Sequence, residues 1–199
     1  MSLDNPPPQN PHQHAPDRPR VGSLCTGYGG LDLAVNAVLG AHLAWYAETD
    51  RHACTVLAHR FPGVDNLGDI RAVDWTQVEP VDVVTAGFPC QDISDAGKRE
   101  GITGERSSLW GSVADAVRHL RPRLVFVENV AALLRRGLDV VHADLAALGY
   151  DTSWICLRAS DIGAAHRRDR LFLLAARRDL LDRHGVDEAG GDVADAVRP

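Results

Sequence analysis

Two stretches decide the fold class: Val81-Asp82-Val83-Val84-Thr85-Ala86-Gly87-Phe88-Pro89-Cys90-Gln91 and Leu124-Val125-Phe126-Val127-Glu128-Asn129-Val130. Each opens as a short β-branched apolar run, the pattern of a strand buried on both faces, and each ends in polar or Gly/Pro-containing residues. Between them Leu109, Val113, Ala116, Val117 and Leu120 recur at helical spacing and lay one apolar stripe along a helix. Strand, amphipathic helix, strand is the pattern of βα units around a parallel sheet. In such sheets ligands sit beyond the carboxyl ends of the strands, so Cys90 and Glu128 stand where chemistry is expected.

Working outward, weaker strands are read at Val21 to Cys25, Leu43 to Ala47, Trp154 to Leu157 and Leu171 to Ala175. A second helical stripe runs from Leu133 and Leu134 through Val141 and Leu145 to Leu148, closed by Gly149. The expectation is one doubly wound α/β domain with a mostly parallel, Rossmann-like sheet over residues 20–178. Residues 1–19 are dense in proline and nearly devoid of apolar side chains, so burial cannot offset the entropy of ordering them, and they read as a disordered tail. Residues 179–199 read as a short charged tail.

The 199 residues are 45% hydrophobic and 24% charged with a formal net charge of −6, the composition of a soluble globular chain. That acidic balance argues against coating nucleic acid by bulk charge alone. No apolar run approaches the roughly 18 residues of a membrane span, so no membrane contact and a cytoplasmic location are expected. Cys25, Cys54, Cys90 and Cys156 lie far apart with no Cys-x-x-Cys pair, which points to neither a disulfide framework nor a metal site.

The loops after the strands carry the functional signal. Gly27-Tyr28-Gly29-Gly30 follows the first strand and opens an amphipathic stretch, allowing a tight turn and a ligand close to a helix N-terminus. Glu48 ends the second strand about twenty residues on, where nucleotide-binding domains commonly bond a ribose hydroxyl. Asp69 in Gly68-Asp69-Ile70 reads equally as a loop turn. Cys90 lies in a stiffened polar loop, which suits a nucleophile; Cys54 and Cys156 read as core. If the two strands of the opening stretches are neighbours, Cys90 and the Glu128 carboxylate face one pocket.

In order and spacing, Gly27-x-Gly29-Gly30, Glu48, Gly68-Asp69-Ile70, Gly87-Phe88-Pro89-Cys90-Gln91, Glu128-Asn129-Val130 and Arg168-x-Arg170 resemble the DNA (cytosine-5)-methyltransferases, over roughly Val21 to Ala176. The resemblance implies methyl transfer from S-adenosylmethionine to carbon 5 of cytosine in double-stranded DNA. The Cys90 thiolate would add to carbon 6 while Glu128 holds and protonates ring nitrogen 3. Arg168 and Arg170 would supply the positive field that forms the thiolate, a free thiol titrating near ~8.5. The cofactor would lie against Cys25, Gly27, Gly29, Gly30, Glu48, Thr49, Asp69, Ile70 and Phe88, with Glu48 on its ribose and Asp69 near its adenine. Gln91, Ser94, Arg106 and Asn129 would contact the substrate. Ser94 and Arg106 also read as structural, since Ser107 or Ser108 makes a good N-cap for the helix that follows. Arg177 and Arg178 follow the last strand and read as solvated. Two positions depart from the family pattern: His166 stands where a glutamine is usual, and Cys25 where many relatives carry an aromatic over the adenine.

Only 23 residues follow Ala176. The resemblance implies a target-recognition domain and a closing segment after that point, and both cannot fit. Three readings remain: a short enzyme that takes its recognition part from a second chain, a fragment of a longer protein, or a decayed copy. RNA cytosine methylation and a non-catalytic cofactor-binding or DNA-associated subunit stand as functional alternatives.

Overall fold

The computed structural model describes residues 18–89 and 109–181. The expected N-terminal tail up to residue 17, Cys90, Gln91, Ser94, Arg106, the N-cap candidates Ser107 and Ser108, and the tail from residue 182 lie outside the described residues. The elements run β1 (Arg20–Leu24), α1 (Gly30–Leu39), β2 (His42–Ala47), α2 (Arg51–Arg60), β3 (Asp65–Asn66), β4 (Val83–Ala86), α3 (Leu109–Leu120), β5 (Leu124–Val130), α4 (Leu133–Arg136), α5 (Leu138–Ala147), β6 (Tyr150–Arg158), β7 (Asp169–Arg177) and α6 (Arg178–Leu181). They build one seven-stranded sheet in the order β3-β2-β1-β4-β5-β7-β6. β4 and β5 are parallel neighbours, Ala86 opposite Val127, so the strands that lead to Cys90 and Glu128 end side by side.

β7 alone runs backwards: it pairs antiparallel with β5, Glu128 opposite Phe172 and Val130 opposite Arg170, and with β6, Arg158 opposite Asp169. The start of β7 therefore lies at the carboxyl ends of the other strands, which brings Arg168 and Arg170 to the edge where ligands bind.

The two faces of the sheet are covered differently. Val84, Ala86, Val125, Val127, Leu171 and Leu173 share a core with α3 and α5, whose stripes match the expected spacing. On the opposite face α1 packs through Val35 on Val21 and Val83, with Leu124 and Phe126 alongside. Gly22 is required by this packing: a Cβ there would come 2.2 Å from the Trp45 indole, and β1 is locally irregular between Val21 and Gly22.

Three local expectations need correction. The single helix read over 133–148 is two, α4 and α5, because Gly137 takes φ 143° between them. The expected strand from Val81 begins at Val83, since the Asp82 carboxylate accepts from the Arg20 amide before the ladder starts. Cys54 and Cys156 are both half-buried: Cys156 packs against the edge of the core, whereas Cys54 stands outside it. The Cys54 thiol donates to the Glu48 carbonyl at 3.4 Å and its sulfur accepts from Asn66 Nδ2 at 3.3 Å.

Candidate active site

A cavity of about 690 Å³ opens at the carboxyl ends of β1, β4 and β5, between α1 and the segment joining β6 to β7. Its walls include Cys25, Gly27 and Gly30 from the Gly-rich turn, Glu128 from β5, and Arg168 and Arg170 from the reversed strand. That volume is within the roughly 300–1,000 Å³ of small-molecule sites.

The Gly-rich turn is shaped by Glu48. Glu48 Oε2 accepts from the Gly27 amide at 2.7 Å, and Oε1 accepts from the Thr49 and Asp50 amides at 2.8 and 2.9 Å. Gly27 and Gly29 have φ of 56° and 76°, the left-handed region that glycine enters at least cost. A side chain at Gly29 would also collide with Phe61, 2.8 Å away. Asp69 forms the turn that the sequence left open: its carboxylate accepts from the Arg71 amide at 3.0 Å and pairs with the Arg71 guanidinium. Those bonds hold the Asp69 carboxyl below the usual range.

The Cys25 thiol is pushed up to about 12, by burial first and then by the charges of Glu48 and Asp69. Cys156 is also shifted upward, by burial and then by Asp169. Neither thiol is suited to act as a thiolate.

On β5, Glu128 Oε1 is ion-paired with Arg170 Nε at 2.9 Å, both side chains about a quarter exposed. A Cβ on Gly87 would lie 4.0 Å from Glu128 Oε2, so β4 and β5 converge at this carboxylate. Asn129 is buried, and its Nδ2 donates to the Phe88 carbonyl at 3.2 Å while its Oδ1 accepts from the Val130 amide. Asn129 thus fixes the chain two residues before Cys90. Arg168 sits exposed on the cavity rim with φ 35°, outside any ion pair among the described residues.

Of the expected cofactor residues, the cavity wall takes Cys25, Gly27 and Gly30; Gly29, Glu48, Thr49, Asp69, Ile70 and Phe88 lie outside it. Ile70 and Phe88 belong to the core, Phe88 tilted against Trp110 with ring centroids 5.5 Å apart. Arg177 and Arg178 are not simply solvated. Arg177 pairs with Asp179 and donates to the Arg121 carbonyl, and Arg178 pairs with Asp151 and donates to the Tyr150 carbonyl. The sequence reading missed Asp32, Ser23 and Thr85, three buried polar side chains in the cavity wall. The available signal was a carboxylate inside the apolar run Leu31-Asp32-Leu33-Ala34-Val35.

The strand order, the reversed β7 and the cavity define a Rossmann-like methyltransferase fold. The solved Dnmt2 methyltransferase of S. pombe shares it, with TM-score 0.68 and 20% identity, covering 88% of this chain and 58% of that one. The chain belongs to the C-5 cytosine-specific DNA methylase family, which it matches over residues 20–189. Type II methyltransferase M2.BsuMI of Bacillus subtilis (strain 168) is 34% identical over 168 residues, 79% of this chain and 42% of the relative. Type II methyltransferase M.HhaI of Haemophilus parahaemolyticus is 34% identical over 165 residues, 81% of this chain and 50% of the relative. The chain thus spans half or less of these relatives' length. Among the described residues no helix is long and apolar enough to cross a membrane, and no cluster of three or more His, Cys, Asp or Glu could hold a metal ion.

Proposed function

We propose that this chain carries the catalytic half of a cytosine-5 methyltransferase acting on cytoplasmic double-stranded DNA, with residues 20–178 as the catalytic domain. The observation that carries this reading is the single cavity joining the Gly-rich turn to the Glu128–Arg170 pair, beside the strand that leads into Cys90. The cavity's size and its open Gly-rich wall suit S-adenosylmethionine, which when bound would supply an electrophilic methyl group. Glu48 and Asp69, outside the cavity wall, would act on it through the turn that Glu48 braces and through the charge both place beside Cys25.

The chain's own residues do the rest. The target base must leave the duplex, at a cost of a few kcal/mol. The Cys90 sulfur then bonds to ring carbon 6, and Glu128 protonates ring nitrogen 3, so the electron pair displaced by the sulfur accumulates at carbon 5. Arg170 pins Oε1 of Glu128 and so orients the carboxyl for that proton. Once carbon 5 is methylated, its proton leaves to a base and Cys90 is expelled, restoring the aromatic ring. Gln91, Ser94 and Arg106 would contact the substrate, and Asn129 would contribute by holding the chain at Phe88. Because the chain spans half or less of its relatives, target recognition would come from a further segment or from a second chain. The alternative is a cofactor-binding or DNA-associated subunit without catalysis.

A duplex containing 5-fluorocytosine, mixed with the chain and S-adenosylmethionine, tests the choice, since a carbon 5 bearing both methyl and fluorine has no proton to lose and the Cys90 adduct persists. Wild type should give a denaturation-resistant complex and Cys90→Ser none, while Glu128→Gln should form it on the order of 100-fold more slowly. Trapping by Cys90→Ser would overturn the nucleophile, trapping of RNA alone would move the substrate to RNA, and no trapping at all would leave the subunit reading.

A further inference from the structure

Asp32 has no part in the chemistry above, yet it is the most buried charge-bearing side chain in the cavity wall, 3% exposed in the first turn of α1. Its Oδ1 accepts from Thr85 Oγ1 at 2.5 Å, and the Ser23 hydroxyl also bonds the carboxylate. Ser23 and Thr85 are register partners on β1 and β4, so they present their hydroxyls side by side, and both are almost fully buried. The cavity's other carboxylate, Glu128, is matched by Arg170, whereas no arginine or histidine among the described residues forms an ion pair with Asp32.

A carboxylate buried against neutral donors alone carries a desolvation cost of several kcal/mol. A neutral Asn would tie α1 to the two strands through the same hydroxyls without that cost. The charge becomes useful if a cation completes the set, and burial alone holds the Asp32 carboxyl above the usual carboxylate range. A carboxylate flanked by two hydroxyls, opening into a cavity beside a Gly-rich turn, is a seat for a primary ammonium group.

Resting on the cofactor reading above, we propose that Asp32, oriented by Thr85 and Ser23, is the counter-ion of the α-ammonium at the amino-acid end of S-adenosylmethionine. It is a binding residue, distinct from the group that moves a proton on the base.

Calorimetric titration with three ligands separates the possibilities: S-adenosylmethionine, S-adenosylhomocysteine, which keeps the ammonium but has no sulfonium charge, and methylthioadenosine, which lacks the amino-acid end. Asp32→Asn should weaken the first two by roughly 10- to 100-fold and leave methylthioadenosine within about twofold. Thr85→Val, which keeps the carboxylate but removes an orienting hydroxyl, should give a smaller loss with the same selectivity. Melting curves of both variants establish that they are folded, and the Thr85 variant carries the test if the Asp32 variant is not. Equal losses for all three ligands would make Asp32 a purely structural tie and overturn the assignment. Loss for S-adenosylmethionine alone would move the contact to the sulfonium and overturn it too. A wild-type chain that binds none of the three would instead overturn the cofactor reading itself.

Discussion

Asp32 also ties function to stability. Its folded-state titration is raised above the unfolded carboxylate value of about 3.9, because burial disfavours the charged form. The sign follows: the protonated form is favoured by folding, so its stabilisation is fully present below the unfolded value and is lost as pH rises through the raised one. Asp32→Asn has no such loss. The melting temperature of Asp32→Asn minus that of wild type, both ligand-free, should therefore become more positive from about pH 4 towards neutrality. A difference that stays flat across that range would mean that the carboxyl is not raised. Subtracting the two curves cancels the opposite trends of Asp69 and Asp74, whose carboxyls lie below the usual range. The variant that binds cofactor worst should thus be the more stable apo protein. At this scale the sequence is legible where a residue type is rare in its setting, as with Gly27 and Gly30, which the cavity wall takes from the Gly-rich turn. It was illegible at Ser23 and Thr85, because buried hydroxyls on strands have the same pattern as any small half-apolar residue.

The elements explain why four similar arginines divide into two kinds. Arg168 and Arg170 flank the start of β7 at the ligand edge, whereas Arg177 and Arg178 stand at its other end and clasp β6, α5 and the turn before β5. Removing the Arg178 side chain breaks bonds to Tyr150 and Ala146 carbonyls and a largely exposed ion pair worth little by itself. Arg178→Ala should cost about 1 kcal/mol, or ~2–4 °C in melting temperature, with methyl transfer by the folded protein unchanged. Arg168→Ala should leave the melting temperature alone and slow methyl transfer. If both variants lowered transfer equally and that loss tracked salt, the arginines would act as bulk charge. The strands themselves were legible as short apolar, β-branched runs, but of the two decisive stretches only β4 is buried on both faces, while β5 alternates buried with half-buried positions. The direction of β7 was not, since a period-two pattern reads the same from either end. β3, two exposed residues long, leaves no pattern at all, and Gly137 split a helix whose apolar spacing continued unbroken across it.

For the molecule as a whole, one face of the sheet is half covered. α1 shields the β1–β4 part of its face, but across β5, β7 and β6 the same face carries Phe126, Phe172 and Leu174, all half-buried, and then Ile155 and Leu157, 54% and 43% exposed. Leu157 and Phe172 reach the rim of the cavity, Ile155 stands beyond it, and β6 is the edge strand, whose free backbone groups invite pairing with another chain. Continuous apolar surface of this kind is rare on an isolated domain. It is in keeping with a chain that spans 42% and 50% of the length of M2.BsuMI and M.HhaI. The chain should therefore bind an environment-sensitive apolar dye in its native state and associate as concentration rises. Replacing Ile155 and Leu157 by threonine keeps β-branching, or introduces it, while removing apolar surface. The double variant should lose most of the dye signal and sediment as a smaller species, with stability changed by no more than about 0.5 kcal/mol, as expected for exposed positions. Melting curves and sedimentation read both quantities on the same samples. A wild-type chain that neither binds dye nor associates would overturn the reading of this face as exposed. A double variant that melts far lower would mean that Ile155 and Leu157 are packed rather than exposed.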